Sequence, residues 1–177
     1  MTPRDFIWTL TLLLTLSAAV VDWRHRRIPN WLTVPGIVAG VTAHTVISGW
    51  PGAKMSLEGA GLGLVILLPF VLLRAMGAGD WKLMGAVGAF LGPMLLLFVL
   101  LGSVFVGGLM AVVEAVRAGK LKETILNIGV LAQGFAVFGF HANPEISIDN
   151  PKSLKVPFGV AVALATIVCC VAAYRVP

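Results

Sequence analysis

The chain has 177 residues, of which 58% are hydrophobic and 12% are charged, and its mean hydropathy is +0.95. This composition excludes an ordinary water-soluble domain and indicates a protein that crosses a membrane several times. The net charge of +5 does not indicate nucleic acid, because the Lys and Arg residues cluster in the breaks between apolar runs, where they report membrane topology. We therefore expect the lipid bilayer as a partner and no nucleic acid.

Apolar stretches separated by short polar breaks follow one another along the chain. A spanning helix needs about 20 mostly apolar residues. The candidate spans are 6–21, 31–47, 57–73, 81–91, 94–116 and 156–174. This pattern predicts an all-α polytopic membrane helix bundle with about six transmembrane helices, which forms a single domain over residues 1–177.

Two segments depart from the simple pattern of spans. The span 81–91 is too short to cross a membrane alone at about 1.5 Å per residue, and Gly92-Pro93 ends or kinks it. The apolar segment 125–140 is interrupted by Asn127, Gln133 and three glycines. It is therefore an interfacial helix, a re-entrant segment or a seventh span.

The distribution of positive charge predicts the orientation of the spans. With six spans, ten of the 13 Lys and Arg residues fall on the side of the break that follows the first span: Arg24, Arg26, Arg27, Arg74, Lys82, Arg117, Lys120, Lys122, Lys152 and Lys155. The other side holds only Arg4, Lys54 and Arg175. Because cytoplasmic loops carry the excess of positive charge, Asp22 and Asp80 are expected at the cytoplasmic edge of the membrane.

Asp22 and Asp80 occupy the two breaks that carry the most informative motifs. Asp22 ends the first span and is followed by three arginines and Ile28-Pro29-Asn30, where the proline fits a first helical turn and Asn30 a helix cap. Asp80 closes Gly77-Ala78-Gly79-Asp80, whose glycines permit close approach of another extended chain. Taken singly, Asp22 is also explained as a partner of Arg24 or Arg26, and Asp80 as an N-cap.

An aspartic protease requires two carboxyl groups that lie close together, and a shared membrane face is a necessary condition for this in Asp22 and Asp80. One carboxylate draws a proton from water while the other, protonated, polarises the scissile carbonyl, and two close carboxyl groups cannot both ionise. The histidines and the adjacent pair Cys169-Cys170 have no further ligand at metal spacing. We therefore expect no metal and no cofactor.

These residues resemble the motifs of type IV prepilin peptidases, which are intramembrane aspartic proteases with a Gly-x-Gly-Asp sequence. Gly77 through Leu83 looks like the second catalytic motif of that family. Asp22 through Asn30 looks like the first, especially in the small tight-adherence (Flp) pilus branch. The stretch Lys155-Val156-Pro157-Phe158-Gly159 is similar to the turn that opens the last span of the family.

The resemblance implies a function and a set of site residues. Asp22 and Asp80 would be the catalytic pair, supported by Gly77, Gly79, Lys82, Arg27, Pro29 and Asn30. The protein would be an aspartic endopeptidase of a bacterial inner membrane that removes the leader from prepilin-like precursors, for pilus assembly and protein secretion, with its active site facing the cytoplasm. The N-terminal region with paired Cys-x-x-Cys motifs that longer members carry is absent here, so methyltransferase activity is not expected.

Two other functions fit the same aspartates. In a proton-coupled small transporter, Asp22 and Asp80 would relay ions, since acids inside membranes also serve that purpose. Transporters often consist of two similar halves, and no such internal symmetry is visible in the sequence. A noncatalytic membrane protein of pilus assembly is the third possibility.

Overall fold

The computed structural model describes residues 2–120 and 156–175, together with 122, 124–126 and 129 between these ranges. The described part of the chain contains no strand. Its long helices are α1 (Pro3–His25), α2 (Asn30–Leu72), α3 (Ala78–Arg117) and α4 (Phe158–Arg175). Each of the four is long and apolar enough to cross a membrane. The expected all-α membrane fold is confirmed, whereas most of the segment 125–140 lies outside the described residues.

Helices α2 and α3 each consist of two helical segments joined at a kink. With 43 and 40 residues, each would be about 60 Å long if straight, twice the roughly 30 Å of a bilayer core. The backbone leaves helical geometry at Gly49 (φ 62°, ψ −144°) in α2 and at Gly92 (φ 73°, ψ 177°) in α3, and Pro93 follows the second kink. The described residues form four long helices where about six spans were expected, so the predicted count of spans is not confirmed.

The first segment of α2 runs alongside the beginning of α3. A methyl group added to Gly36 would lie 3.3 Å from the side chain of Ala86. One added to Gly40 would lie 2.8 Å from the side chain of Ala89. Both residue numbers increase together, so the two segments are parallel, and the absence of side chains on the glycines lets the helices approach closely.

The second segment of α2 returns along the same part of α3 in the opposite direction. A methyl group on Gly59 would lie 2.1 Å from the carbonyl oxygen of Gly88, and one on Gly63 would lie 2.8 Å from that of Met84. The methyl group on Gly63 would also lie 3.2 Å from the side chain of Leu96, which follows the kink of α3. Met84 precedes the kink of α3 and Leu96 follows it, yet both lie next to Gly63. The direction of α3 therefore reverses at the kink.

Helix α4 packs antiparallel to the second segment of α3. A methyl group on Gly102 would lie 3.1 Å from the Ala165 side chain, and one on Gly107 would lie 3.5 Å from the Phe158 ring. The buried core between the helices is built mainly from small and aliphatic side chains of α1, α3 and α4, such as Ala18. Burial of this apolar face holds α4 in the bundle.

The start of α1 is joined to the end of α4. Thr2 and Asp5 form a capping box, in which the hydroxyl and the carboxylate satisfy the first N–H groups of α1. The Tyr174 hydroxyl donates a hydrogen bond of 2.6 Å to Asp5 Oδ1, and the Arg4 guanidinium lies 5.1 Å from the centre of the Tyr174 ring. Since these ends of α1 and α4 meet, the opposite ends, Asp22 and Gly159, also lie at one side of the bundle.

Candidate active site

Three segments that are distant in sequence meet at this side of the bundle: the turn between α1 and α2, the start of α3 and the start of α4. The buried side chain and backbone of Ile28 lie between them. A methyl group on Gly79 would lie 2.6 Å from the Ile28 carbonyl oxygen, and one on Gly159 would lie 3.2 Å from the Ile28 side chain. Glycine is therefore required at position 79, and at position 159 it leaves room for the tight packing of Asp22 and Ile28.

Asp22 lies in the last turn of α1 and is almost fully buried, with 4% of its surface exposed. Its Oδ2 accepts a hydrogen bond of 2.8 Å from the backbone N–H of Gly159. Its carbonyl oxygen accepts the N–H of Arg26, which ends α1 in the left-handed conformation (φ 52°). The positive charge of Arg26 interacts with the Asp22 carboxylate, so the interpretation of Asp22 as a partner of Arg24 or Arg26 is correct for Arg26. The carboxylate is also held by its hydrogen bond to the start of α4.

Asp80 lies in the first turn of α3 and is half-buried. Gly77 is the N-cap of α3, and the backbone N–H of Gly77 faces the Asp80 carboxylate. Asp80 is the third residue of the helix, so the interpretation of Asp80 as an N-cap is wrong. A carboxylate in the first turn still interacts favourably with the helix dipole.

The structure brings Asp22 and Asp80 together. The charge of Asp22 acts on Asp80 across the site, although the two residues are on different helices. Two carboxyl groups close enough for their charges to interact repel each other when both are ionised, and this favours a state in which they share one proton. The arrangement can supply one carboxylate as a base and one carboxylic acid as a hydrogen-bond donor.

Other predicted site residues lie in the turn between α1 and α2 and at the starts of α2 and α3. Lys82 Nζ donates a hydrogen bond of 3.0 Å to Asn30 Oδ1, which connects the start of α3 to the start of α2. Pro29 is the N-cap of α2 and Asn30 its first residue, so the expected capping role of Asn30 is wrong. The amide of Asn30 instead positions Lys82. Arg27 lies exposed in the turn that precedes Pro29.

Two contacts of the site were not predicted from the sequence. The N–H of Gly159 donates to Asp22, across a separation of 137 residues. The indole Nε1 of Trp81 donates a hydrogen bond of 2.6 Å to the carbonyl oxygen of Leu64, which anchors the residue next to Asp80 on α2. In the sequence, the aromatic residue directly after Asp80 could have indicated the contact between Trp81 and Leu64. Within the described ranges, no three His, Cys, Asp or Glu residues form a group that could hold a metal ion.

Comparisons with known proteins point to one family. The sequence profile of the type IV leader peptidase family matches residues 9–112, a range that contains both Asp22 and Asp80. No solved structure matches the chain.

Three curated relatives carry the name prepilin leader peptidase/N-methyltransferase. The protein of Legionella pneumophila is 31% identical over 126 residues, which cover 68% of this chain and 44% of the relative. That of Xanthomonas campestris is 30% identical over 67% of this chain and 44% of the relative. That of Myxococcus xanthus is 30% identical over 66% of this chain and 39% of the relative. The chain thus spans less than half the length of these relatives.

The profile match and the fold lead to the same assignment. Four long apolar helices make the chain a multi-pass membrane protein, and the matched range extends from the first of them to the third. Since that range covers more than half of the 177 residues, the chain belongs to the type IV leader peptidase family.

Proposed function

We propose that the protein is an intramembrane aspartic endopeptidase that removes the leader peptide from type IV, Flp-like prepilins at the cytoplasmic boundary of a bacterial inner membrane. The observation that carries this proposal is the meeting of Asp22 and Asp80, from two distant helix ends, within one partly buried site. Family membership supports the same reaction.

The catalytic pair would act on one water molecule. The ionised carboxylate accepts a proton from water as the water oxygen bonds to the scissile carbonyl carbon, and the protonated carboxyl group donates a hydrogen bond to the carbonyl oxygen. The tetrahedral intermediate then collapses, the C–N bond breaks, and the departing amine takes up a proton from the pair. These steps need two carboxyl groups that share a proton, which is the state that mutual repulsion between Asp22 and Asp80 favours.

The surroundings of the pair suit a substrate that is half in the membrane. In the six-span interpretation of the sequence, ten of the 13 Lys and Arg residues fall on the side that carries Asp22 and Asp80, which supports a cytoplasmic orientation. A prepilin would present its apolar helix in the bilayer and its leader at the membrane edge. Ile28 covers Gly79, whereas the one side chain near an added methyl group on Gly77 is Asp80 itself, so an extended peptide would approach Asp80 past Gly77.

The proposal concerns the peptidase reaction. The names of the relatives also include an N-methyltransferase, and those proteins are more than twice as long as the matched region. The expectation that this chain does not methylate its product stays a prediction. It is tested by the mass of the new N-terminus after cleavage in the presence of S-adenosylmethionine.

Cleavage of a precursor by the purified full chain tests the proposed function. The protein in detergent or liposomes is incubated with an Flp-like prepilin, and mass spectrometry identifies the new N-terminus. We expect one cut at the leader junction by the wild type and none by the double variant Asp22→Asn/Asp80→Asn. Proton-driven flux into liposomes without any cut would instead indicate the transporter function, and neither activity would indicate a noncatalytic assembly protein.

Gly79→Ala is expected to impair cleavage by moving Asp80. The added methyl group would meet the Ile28 carbonyl oxygen at 2.6 Å, and backbone on both sides cannot rotate away. A displacement of about 1 Å at a catalytic group costs roughly 10²-fold in rate. The rate of leader removal measures the effect, and Gly108→Ala is the control, because no atom lies within 4 Å of its added methyl group. Full activity of Gly79→Ala would contradict the proposed packing of the site.

A further inference from the structure

Helix α4 lies outside residues 9–112, the range that the family profile matches, yet its start belongs to the candidate site. Gly159, the second residue of α4, is buried. Its backbone N–H donates the hydrogen bond of 2.8 Å to Asp22 Oδ2. The orientation of one carboxyl group of the pair therefore depends on a residue that follows it by 137 positions.

The space around Gly159 is filled by Asp22 and Ile28. A methyl group added to Gly159 would lie 3.0 Å from Asp22 Cβ, 3.1 Å from Asp22 Oδ2 and 3.2 Å from Ile28 Cδ1. Ordinary van der Waals contacts of such a group are longer, at 3.4–4 Å. Since Asp22 is buried in the last turn of α1, its side chain has little room to yield. A side chain at position 159 would therefore move the Asp22 carboxyl group, the start of α4, or both.

Packing and capping alone explain part of this arrangement. Glycines let helices in a membrane approach closely, and the first N–H groups of a helix need acceptors from outside it. On that view, Asp22 serves α4 as a distant cap. The same carboxyl group, however, also interacts with the charges of Arg26 and Asp80. A cap does not need a second carboxyl group beside it, because the two repel each other when both are ionised.

The hydrogen bond has a consequence for the chemistry at Asp22. It fixes Oδ2 and with it the plane of the carboxyl group, so Oδ1 is the oxygen that would act on water. The last torsion of an aspartate side chain is otherwise broad, whereas a catalytic group must be held within about 0.5 Å of its productive position. A donor on the backbone of a packed helix meets that need, because it cannot change its rotamer.

We propose that Gly159 is a positioning residue of the peptidase, whose backbone N–H and lack of a side chain hold the Asp22 carboxyl group in the orientation in which it acts on water together with Asp80. This inference rests on the proposed peptidase function and adds the start of α4 to the two segments that carry the aspartates. Gly159 acts through Asp22 and not on the substrate. Its replacement should therefore lower kcat with little change in KM.

Gly159→Ala and the matched control Gly102→Ala test this inference in the same cleavage assay, with the purified full chain. The methyl group of Gly102→Ala would lie 3.1 Å from the Ala165 side chain, so it crowds α4 to a similar degree away from both aspartates. We expect Gly159→Ala to lower kcat about 10²-fold, the cost of displacing a catalytic group by about 1 Å, and to keep KM within about threefold. Gly102→Ala should keep kcat within about threefold, although both variants should unfold at a lower temperature than the wild type.

Gly159→Pro tests the N–H itself. Proline fits the first turn of a helix, but it has no N–H to donate to Asp22. Because proline and alanine both place a side-chain carbon at position 159, the difference between the two variants reports on the N–H. We expect the kcat of Gly159→Pro to be at least about tenfold below that of Gly159→Ala, since a hydrogen bond to a charged group is lost.

A second variant keeps the test valid if Gly159→Ala does not fold. Ile28→Val/Gly159→Ala removes Cδ1 of Ile28, and with it the contact at 3.2 Å, but leaves both contacts with Asp22 in place. Its reference is Ile28→Val alone. We expect the same loss of about 10²-fold in kcat between these two variants.

Several results would overturn the inference. If Gly159→Ala keeps the kcat of the wild type, Asp22 does not depend on Gly159, and the peptidase function stands alone. If Gly102→Ala loses as much kcat as Gly159→Ala, the packing of α4 matters and not the orientation of Asp22. A higher KM with unchanged kcat in Gly159→Ala would mean a contact with the substrate, and equal activity of Gly159→Pro and Gly159→Ala would mean that the N–H does not position Asp22. If the wild type itself cuts no precursor, the proposed function fails and the role of Gly159 fails with it.

Discussion

Replacing either Asp22 or Asp80 by asparagine is expected to lower the rate of leader cleavage by about 10²–10⁴-fold, the usual contribution of a positioned general acid or base. Asparagine keeps the shape of the side chain but neither accepts the proton of water nor donates a shared proton. The measurement is the initial rate of appearance of mature pilin from a purified precursor, with each single variant in the same detergent as the wild type.

Folding should be preserved in the Asp22 variant, which separates chemistry from structure. The amide oxygen of an asparagine at position 22 can accept the N–H of Gly159 as Oδ2 now does. The variant also removes a buried ionisable group, so its unfolding temperature should not fall. A loss of cleavage with an unchanged unfolding temperature is therefore the expected combination.

The double variant tests whether the two aspartates act as one unit. Groups that share a single chemical step show strongly non-additive effects, so the double variant should be about as slow as either single variant. Glu114→Gln is the matched control, because its carboxylate is 46% exposed and only 3.9 Å from Arg117, a surface pair of little energetic weight. Full cleavage by either single aspartate variant would contradict the shared-water mechanism.

Much of the site follows from charge and hydropathy. The excess of Lys and Arg in alternate breaks, set against apolar spans, places Asp22 and Asp80 on one membrane face without any knowledge of contacts. The glycines before Asp80 indicated a close approach, and the structure identifies the Ile28 backbone as the neighbour of Gly79. Such predictions can be made from the sequence because they depend on physical periodicities and on local backbone freedom.

The boundaries between helices were less predictable. The polar stretch 48–56 was interpreted as a break between two spans, and the chain does reverse there, but it does so at Gly49 alone, the one residue of α2 outside helical geometry, instead of through a loop. Pro51 does not end the helix, because it falls in the first turn after the kink, where a missing N–H has no cost. Likewise Pro93 follows Gly92 and starts the second segment of α3. A single glycine with positive φ can reverse the direction of the chain, so the reversal needs fewer polar residues than a loop.

Contacts between distant segments were outside the reach of sequence patterns. The bond between Gly159 and Asp22 depends on how α4 packs against α1, which the order of spans alone does not determine. The cap of α2 also differed from expectation, because the Asn30 side chain bonds to Lys82 on another helix. Tertiary partners compete with local capping for the same side chain, and here the tertiary partner prevails.

Gly88→Ala is expected to destabilise the whole bundle, because Gly88 lies at the closest contact between α2 and α3. The added methyl group would lie 2.2 Å from the carbonyl oxygen of Gly59 and 3.1 Å from the backbone nitrogen of Ala60. Backbone atoms cannot rotate away as a side chain can, so the two helices must separate. We expect a loss of about 3 kcal/mol, at the upper end of the usual cost of overpacking. Thermal unfolding in detergent measures the loss.

The control for this change lies two residues from the contact. Gly61 is in the same segment of α2 as Gly59, but no atom lies within 4 Å of its added methyl group. Gly61→Ala should therefore leave the packing intact and raise stability by up to about 1 kcal/mol through helix propensity. Because α3 carries Asp80 at its start and contacts both segments of α2, separation at Gly88 should also reduce cleavage, whereas Gly61→Ala should cleave normally. Equal unfolding temperatures for the two variants would mean that the glycine contact does not hold α2 against α3.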